Sequence, residues 1–268
     1  MTNDIDESTR CIDIKIKRNG KFTTDYTSIS SGMEFISFES MPDAVKMRGT
    51  FSENCFLACS PTTLDNLRNG GANLSIVSMF PSKTISGAFC LIQDFSGSVS
   101  VSYGVGGGYV LLGHLGSVHV DCRVAGEGVI AIGDKTTVNQ ARIVAVNSNI
   151  LVGRDGLWSD GILLQGSDQH GIVDLDSRQI LNQDKRDIII GAHVWVGRRA
   201  TIMPNVDVGR GGIVGASSVV TKPVPPFCAV AGNPARIVRE KVSWCRPWTH
   251  LDPETIRFLD ASTSEYIQ

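Results

Sequence analysis

The sequence predicts an all-β chain wound as a parallel β-helix, and three observations carry that expectation. The first is a period of six running from Ile190 to Pro225. Its hexads open on Ile190-Gly191, Val196-Gly197, Ile202-Met203, Val208-Gly209, Val214-Gly215 and Val220-Thr221, so every first position is Val or Ile. The second is the fifth position of the same hexads: Val194, Ala200, Val206, Gly212, Ser218 and Val224 are all small or β-branched. The third is a longer period upstream, where an aliphatic-Gly step recurs every twenty residues at Leu112-Gly113, Ile132-Gly133 and Val152-Gly153. Helices repeat near 3.6 residues and half-buried strands at two. A period of six marks one flat side of a β-helical coil. Three such sides close a triangular coil of eighteen residues, and the twenty-residue coils upstream place two extra residues at one corner. The first-position aliphatics then stack inward at a spacing of about 4.8 Å, and the small residues near the corners let the chain turn tightly.

Taken in chain order, residues 1–89 lack the repeat and are expected to form a small β-rich cap of unassigned role. Within them Cys11 to Lys17 alternates apolar with polar and reads as a strand, as does Glu34 to Phe38. Pro61 to Leu67 reads as a short helix or turn. The coil domain spans 90–240, beginning near Leu91-Ile92 and giving six stacked coils. Each repeat in such a stack buries itself against its neighbours. The twenty-residue step breaks once. After hexads at Val152, Trp158 and Leu164 the next corner falls on His170, and regular coil resumes only at Ile188. The polar segment 170–187 is therefore an ejected loop, and long loops on rigid scaffolds often carry function. Residues 241–268 form a C-terminal extension. There Asp252 as N-cap and Pro253 at the first helical position open a short helix.

Composition narrows the function classes. A net charge of −2 gives no footprint for nucleic acid or an anionic membrane. The seven scattered cysteines read as reduced cytosolic thiols. The polar, acidic start has no signal-peptide pattern, and no apolar run reaches a membrane span, so a cytoplasmic protein without a transmembrane segment is expected.

Three stretches carry a family resemblance: His193-Val194-Trp195-Val196-Gly197, then Gly215 to Lys222, then Ala231-Gly232-Asn233-Pro234-Ala235-Arg236. Over roughly residues 130–240 the chain resembles the hexapeptide-repeat acyltransferases. Its ending is similar to the maltose and galactoside acetyltransferases. Trp158 to Gly161 and Ser167 to Asp174 look more like the O-acetyltransferases of capsular and O-antigen polysaccharides. The resemblance implies a left-handed coil, a homotrimer, and acetyl-CoA held between subunits as co-substrate, with no metal. It also implies transfer to a hydroxyl of a carbohydrate such as a bacterial surface polysaccharide or its precursor.

In such a reaction a base removes the proton of the attacking hydroxyl, and histidine does this near neutral pH. The family's base falls on His170, at the corner where the coil breaks; the alternative is a surface-loop histidine. Asp168 and Asp174 flank it, and either carboxylate could orient the ring. Trp195 occupies the sixth, outward position of its hexad. The resemblance puts such a Trp beside the reacting groups, while a subunit contact would explain it equally. His193 is open between lining the site and packing at a subunit seam. For the donor, the resemblance maps pantetheine and phosphate contacts onto Gly197, Ala216, Thr221, Lys222 and Arg239. Arg198 and Arg199 depart from the expected small or acidic residues, and they fit either an anionic acceptor or further phosphate contacts.

Two rival readings stand beside this one. His114 and His119 have the HxxxxH spacing of the zinc-binding γ-class carbonic anhydrases, but that site takes a third histidine near residue 78, where Ser78 stands. A non-catalytic structural coil would leave the ejected loop unexplained. Among acceptors, a small sugar, an amino acid or an antibiotic remains open beside the polysaccharide.

Overall fold

The computed structural model describes residues 32–184 and 186–263; the strand expected at Cys11 to Lys17 lies outside them. The chain forms a β-solenoid of about seven turns with a short C-terminal helix. Its parallel ladder joins three faces, each with one inward column. The first face stacks Ile92, Leu112, Ile132, Val152, Ile190 and Val208, ending on a bridge to Val224. The second stacks Val118, Val138, Trp158, Val196, Val214 and Val230. The third stacks Ile76, Val101, Cys122, Ile143, Leu164, Ile202 and Val220. All of these side chains are buried, so the hexad first positions form the core by direct contact between rungs.

The fifth positions are buried too, as a second inward set beside each corner. The tight turn itself sits one residue earlier. His193, Arg199, Asn205, Gly211 and Ser217 all have φ between 55° and 67°. The turn therefore takes a left-handed residue at the fourth position, usually not glycine, and the small fifth residue fills the corner behind it. Strain at these non-glycine positions is of order 1 kcal/mol each. It is offset by the backbone pairing it allows: His193 N, for example, donates to Arg154 O across the rung at 2.9 Å.

The twenty-residue coils place their extra length differently from the expectation of two residues at one corner. From Val138 to Ile143 the second corner is one residue shorter than in the eighteen-residue coils, while from Ile143 to Val152 the third corner is three longer. The cause is that the strands Gly108–Ala125 and Thr137–Val146 continue beyond the third-face residues Cys122 and Ile143 before the chain turns.

The stack reaches further upstream than the sequence repeat does. Phe56–Cys59 pairs in parallel with Phe89 to Ile92, and Ala72–Ser78 with Gly97 to Tyr103, forming one more rung. Its period is hidden because the helix Pro61–Arg68, capped by Ser60, is inserted between the two faces. Glu34–Ser37 closes the edge in antiparallel pairing with Phe56–Cys59. At the other end Pro253–Thr263 is the expected helix; Asp252 Oδ1 accepts from the backbone N of Glu254 and Thr255 at 3.0 Å. The cysteines of the described residues are free thiols. Burial pushes Cys90 and Cys122 far up, which leaves them inert as nucleophiles. No helix of the described residues is long and apolar enough to cross a membrane.

Candidate functional site

Ladder register shows where the chain leaves the stack. Ile150 pairs with Ile188 and Val152 with Ile190, so the rung is continuous while the residues between the third face and Ile188 are looped out. Asp187 anchors the returning end: its carboxylate accepts from Asn149 N at 2.8 Å and Asn149 Nδ2 at 3.1 Å. Inside the loop Val173 and Ile180 form an antiparallel bridge, with Leu181 N donating to Ile172 O at 2.8 Å. Asp174 caps the tip by accepting from Ser177 N and Oγ at 2.7 and 2.8 Å. The Ser177 bonds hold its carboxyl below the usual range. Asp174 is thus a turn former and does not address His170.

His170 is exposed at the mouth of a pocket of about 270 Å³, lined among others by Asn147, Asp168, Ile180, Asn182 and Arg186. Gln169, in the left-handed region at φ 62°, sets the direction of the chain into it. Asp168 shares this pocket, but its carboxylate accepts from Asn182 Nδ2 at 2.8 Å and Arg186 Nη1 at 3.2 Å. Asn182 Nδ2 also donates to His170 O at 2.8 Å, so Asp168 fixes the backbone of His170 through Asn182. Asn182 and Arg186 were missed in the sequence. The signal available was a pair of opposite charges, Asp168 and Arg186, at the two ends of one ejected loop.

Trp195 points outward from the second face, 41% exposed, between Leu157 and Ile213 of the adjacent rungs. It does not line the pocket of His170. The donor-site candidates occupy the last rungs. Gly197 lies under Ala216 at the second corner, where a Cβ on Gly197 would meet Ala216 N at 2.7 Å. Thr221 and Lys222 are exposed just past the third face, and Arg239 sits on the terminal hairpin opposite Ala229. One chain therefore brings Asp168 to His170 but leaves Trp195 and the donor-site candidates on other faces.

Arg198 Nε donates to Asp160 Oδ1 of the preceding rung at 2.8 Å and lowers that carboxyl; Arg199 is the left-handed residue of the same corner. His193 is neither in the pocket nor on the surface. It stacks between Trp244 and Phe258, each at a 4.3 Å centroid distance, beneath the chain's own C-terminal extension. Its ring nitrogens face Asp155 Oδ2 at 2.7 Å and Trp244 O at 2.9 Å. Of the two histidines at zinc-like spacing, His119 Nδ1 is hydrogen-bonded to Ser98 Oγ at 2.8 Å, and His114 is exposed earlier in the same turn.

A solenoid of hexapeptide rungs with one loop ejected beside a histidine defines a class, and comparison with known proteins bears on it directly. The chain is similar in sequence and fold to known acetyltransferases. It is similar to the polysialic acid O-acetyltransferase of Escherichia coli O1:K1 / APEC, at 38% identity over 136 residues, covering 48% of this chain and 44% of that protein. It is also similar to a putative lipopolysaccharide biosynthesis O-acetyl transferase of Escherichia coli (strain K12), at 32% identity over 124 residues, covering 43% and 62%. The similarity thus spans about half the length of these curated relatives. Among solved structures, the polySia specific acetyltransferase NeuO superposes with a TM-score of 0.70 at 25% identity, covering 82% of this chain and 100% of that one. The polysialic acid O-acetyltransferase OatWY, with a TM-score of 0.57 at 19% identity over 81% of this chain and 98% of that one, shares the fold. No family model matches the chain.

Proposed function

We propose that this protein transfers the acetyl group of acetyl-CoA to a hydroxyl of a bacterial surface polysaccharide or its precursor, working in the cytoplasm as a homotrimer. The observation that carries the reading is the excursion of the chain between Gln165 and Ile188, which delivers an exposed His170 to a pocket walled largely by the ejected loop. The relatives' printed activities supply the acceptor class.

In the reaction the imidazole of His170 takes the proton of the acceptor hydroxyl as its oxygen attacks the thioester carbonyl. The C–O bond forms, the C–S bond breaks, and the proton returns to the departing thiolate. The products are an O-acetyl ester and free CoA. Asp168 acts as a positioning residue, through Asn182, on the backbone of His170. Trp195 lies outside the pocket of its own chain, so in the trimer it meets His170 of a neighbouring copy and covers the pantetheine arm or the sugar. Gly197 and Ala216 border that arm, and Thr221, Lys222 and Arg239 meet the phosphates. Exposed cations on the last rungs suit that task.

The test is His170→Ala assayed with acetyl-CoA and polysialic acid. Loss of transfer by about 10²–10⁴-fold is the size expected of a general base. Turnover equal to the native chain would remove His170 from that role.

A further inference from the structure

We propose a second binding site on this chain: a groove along the corner between the second and third faces that holds an extended anionic polysaccharide. The proposal rests on the acceptor class given above and adds where the chain of sugars lies.

The groove arises from unequal corners. The step from Val118 to Cys122 is four positions, that from Val138 to Ile143 is five, and that from Trp158 to Leu164 is six. Successive rungs therefore step outward, assisted by a bulge between Val138 and Ala141 and by the left-handed Gly161. The concavity beneath these steps has a volume of about 460 Å³. Four rungs contribute to its wall, starting from Ser98, His119, Gln140 and Gly161 in turn. Three inter-rung steps give it a length of roughly 14 Å along the solenoid axis. That is the shape of a site for a linear chain.

Its chemistry is that of sugar recognition with a cationic bias. Ser98 and His119 form one hydrogen-bonded pair, and the Gln140 amide is exposed. Asp121 accepts from Arg142 Nε at 2.8 Å and from Arg123 Nε at 3.3 Å. Two guanidiniums against one carboxylate leave a positive charge. Both arginines approach Asp121 through Nε, which keeps the terminal nitrogens of Arg142 available for a bidentate bond to a ligand carboxylate. Arg199 extends the positive character at the downstream end, where its Cγ lies 3.2 Å from the Cβ position of Gly161. Ala141 and Leu163 give a partly apolar floor for the C–H faces of sugar rings.

The groove ends on the coil that precedes Trp195, whose partner in register is Leu157. His170 is not among the residues that line it. A polymer lying in it would reach the site that Trp195 completes with a neighbouring copy.

Titration of polysialic acid into the full-length protein without acetyl-CoA tests this apart from catalysis. Arg142→Ala removes the bidentate cation, and Gln140→Trp fills the groove from an exposed position, so both variants should fold; circular dichroism checks that they do. The expected result is an affinity for polysialic acid at least about tenfold weaker in each, the weight of one charged pair. Neutral dextran should bind the native chain more weakly by a similar factor. His170→Ala should bind the polymer as the native chain does. Native affinity in both groove variants, equal binding of dextran, or no binding of polysialic acid by the native chain would each overturn the proposal. If His170→Ala keeps its turnover while the groove variants lose affinity, the catalytic assignment fails and the groove stands.

Discussion

Asp155 and His193 lie 38 residues apart in sequence, yet the Asp155 carboxylate meets the His193 ring at 2.7 Å, because both occupy the left-handed fourth position of the same corner on successive rungs. The corner column continues with Lys135 on one side and Gly211 and Phe227 on the other. The C-terminal extension closes over it: Trp244 Nε1 donates to His193 O at 2.9 Å, and Arg246 Nη2 to Asp155 Oδ1 at 2.9 Å. Lys135 pairs with Glu254 of the terminal helix. The extension is thus latched to one corner of the solenoid by charge as well as by ring stacking.

This latch predicts an acid-sensitive contribution to stability. Burial pushes the Asp155 carboxyl up, but bonds from His193 and Arg246 outweigh it and hold the group below its usual 3.8. A carboxyl depressed in the folded state stabilises fully above its unfolded value, and the contribution is lost as pH falls through the folded one. Asp155→Asn should cost about 1–3 kcal/mol at neutral pH by leaving buried donors poorly paired. Urea unfolding at stepped pH should show the gap between variant and native chain closing as pH falls below 3.8.

Gly197→Ala should destabilise the chain by about 1–3 kcal/mol, the range for an overpacked site. The added Cβ would meet Ala216 N at 2.7 Å and Val214 O at 2.9 Å, both backbone atoms of the rung above. Thermal unfolding reads this directly, and an unchanged midpoint would mean that the rungs can separate locally.

Asn182→Ala should loosen the loop without loosening the stack. Asn182 ties Asp168, His170 and Ile172 together, while the rung from Val152 to Ile190 bypasses the loop. Limited proteolysis should cut the variant faster within the looped segment, and kcat should fall with the unfolding midpoint unmoved. Equal proteolysis would show that Asn182 does not order the loop.

Co-expression of His170→Ala with Trp195→Ala tests the shared site. If each site takes His170 from one copy and Trp195 from the next, mixed trimers contain some intact sites, and activity returns from two inactive parents. Activity no higher than either parent would place both residues in a site formed within one chain.

The inward columns were legible because an aliphatic residue returns to the same face every six residues, as Val196, Ile202 and Val208 do. Pro253 and Asp252 announced the helix by local chemistry alone. The break at His170 could be read because the repeat is regular on both sides of it. Other features needed the register. Ser98, Ser100 and Ser102 alternate with buried Val99 and Val101 at period two, so the sequence shows an ordinary strand and not a groove wall. The first rung is hidden because Cys59 and Ile92 are paired across an inserted helix. His193 stayed open between the site and a subunit seam because its neighbours match a motif; Trp244 and Phe258, which stack on it, have no pattern that points to a partner so far away.

The pairing of Ile150 with Ile188 has a consequence for how such a protein can change. The stack is complete on either side of the excursion, so the segment between Gln165 and Ile188 can lengthen, shorten or be replaced with no rung altered. The ladder carries the scaffold past the excursion, while the segment bearing His170 hangs from two adjacent points like a fitted tool. Such a tool can be exchanged while the frame that holds it stays as it is.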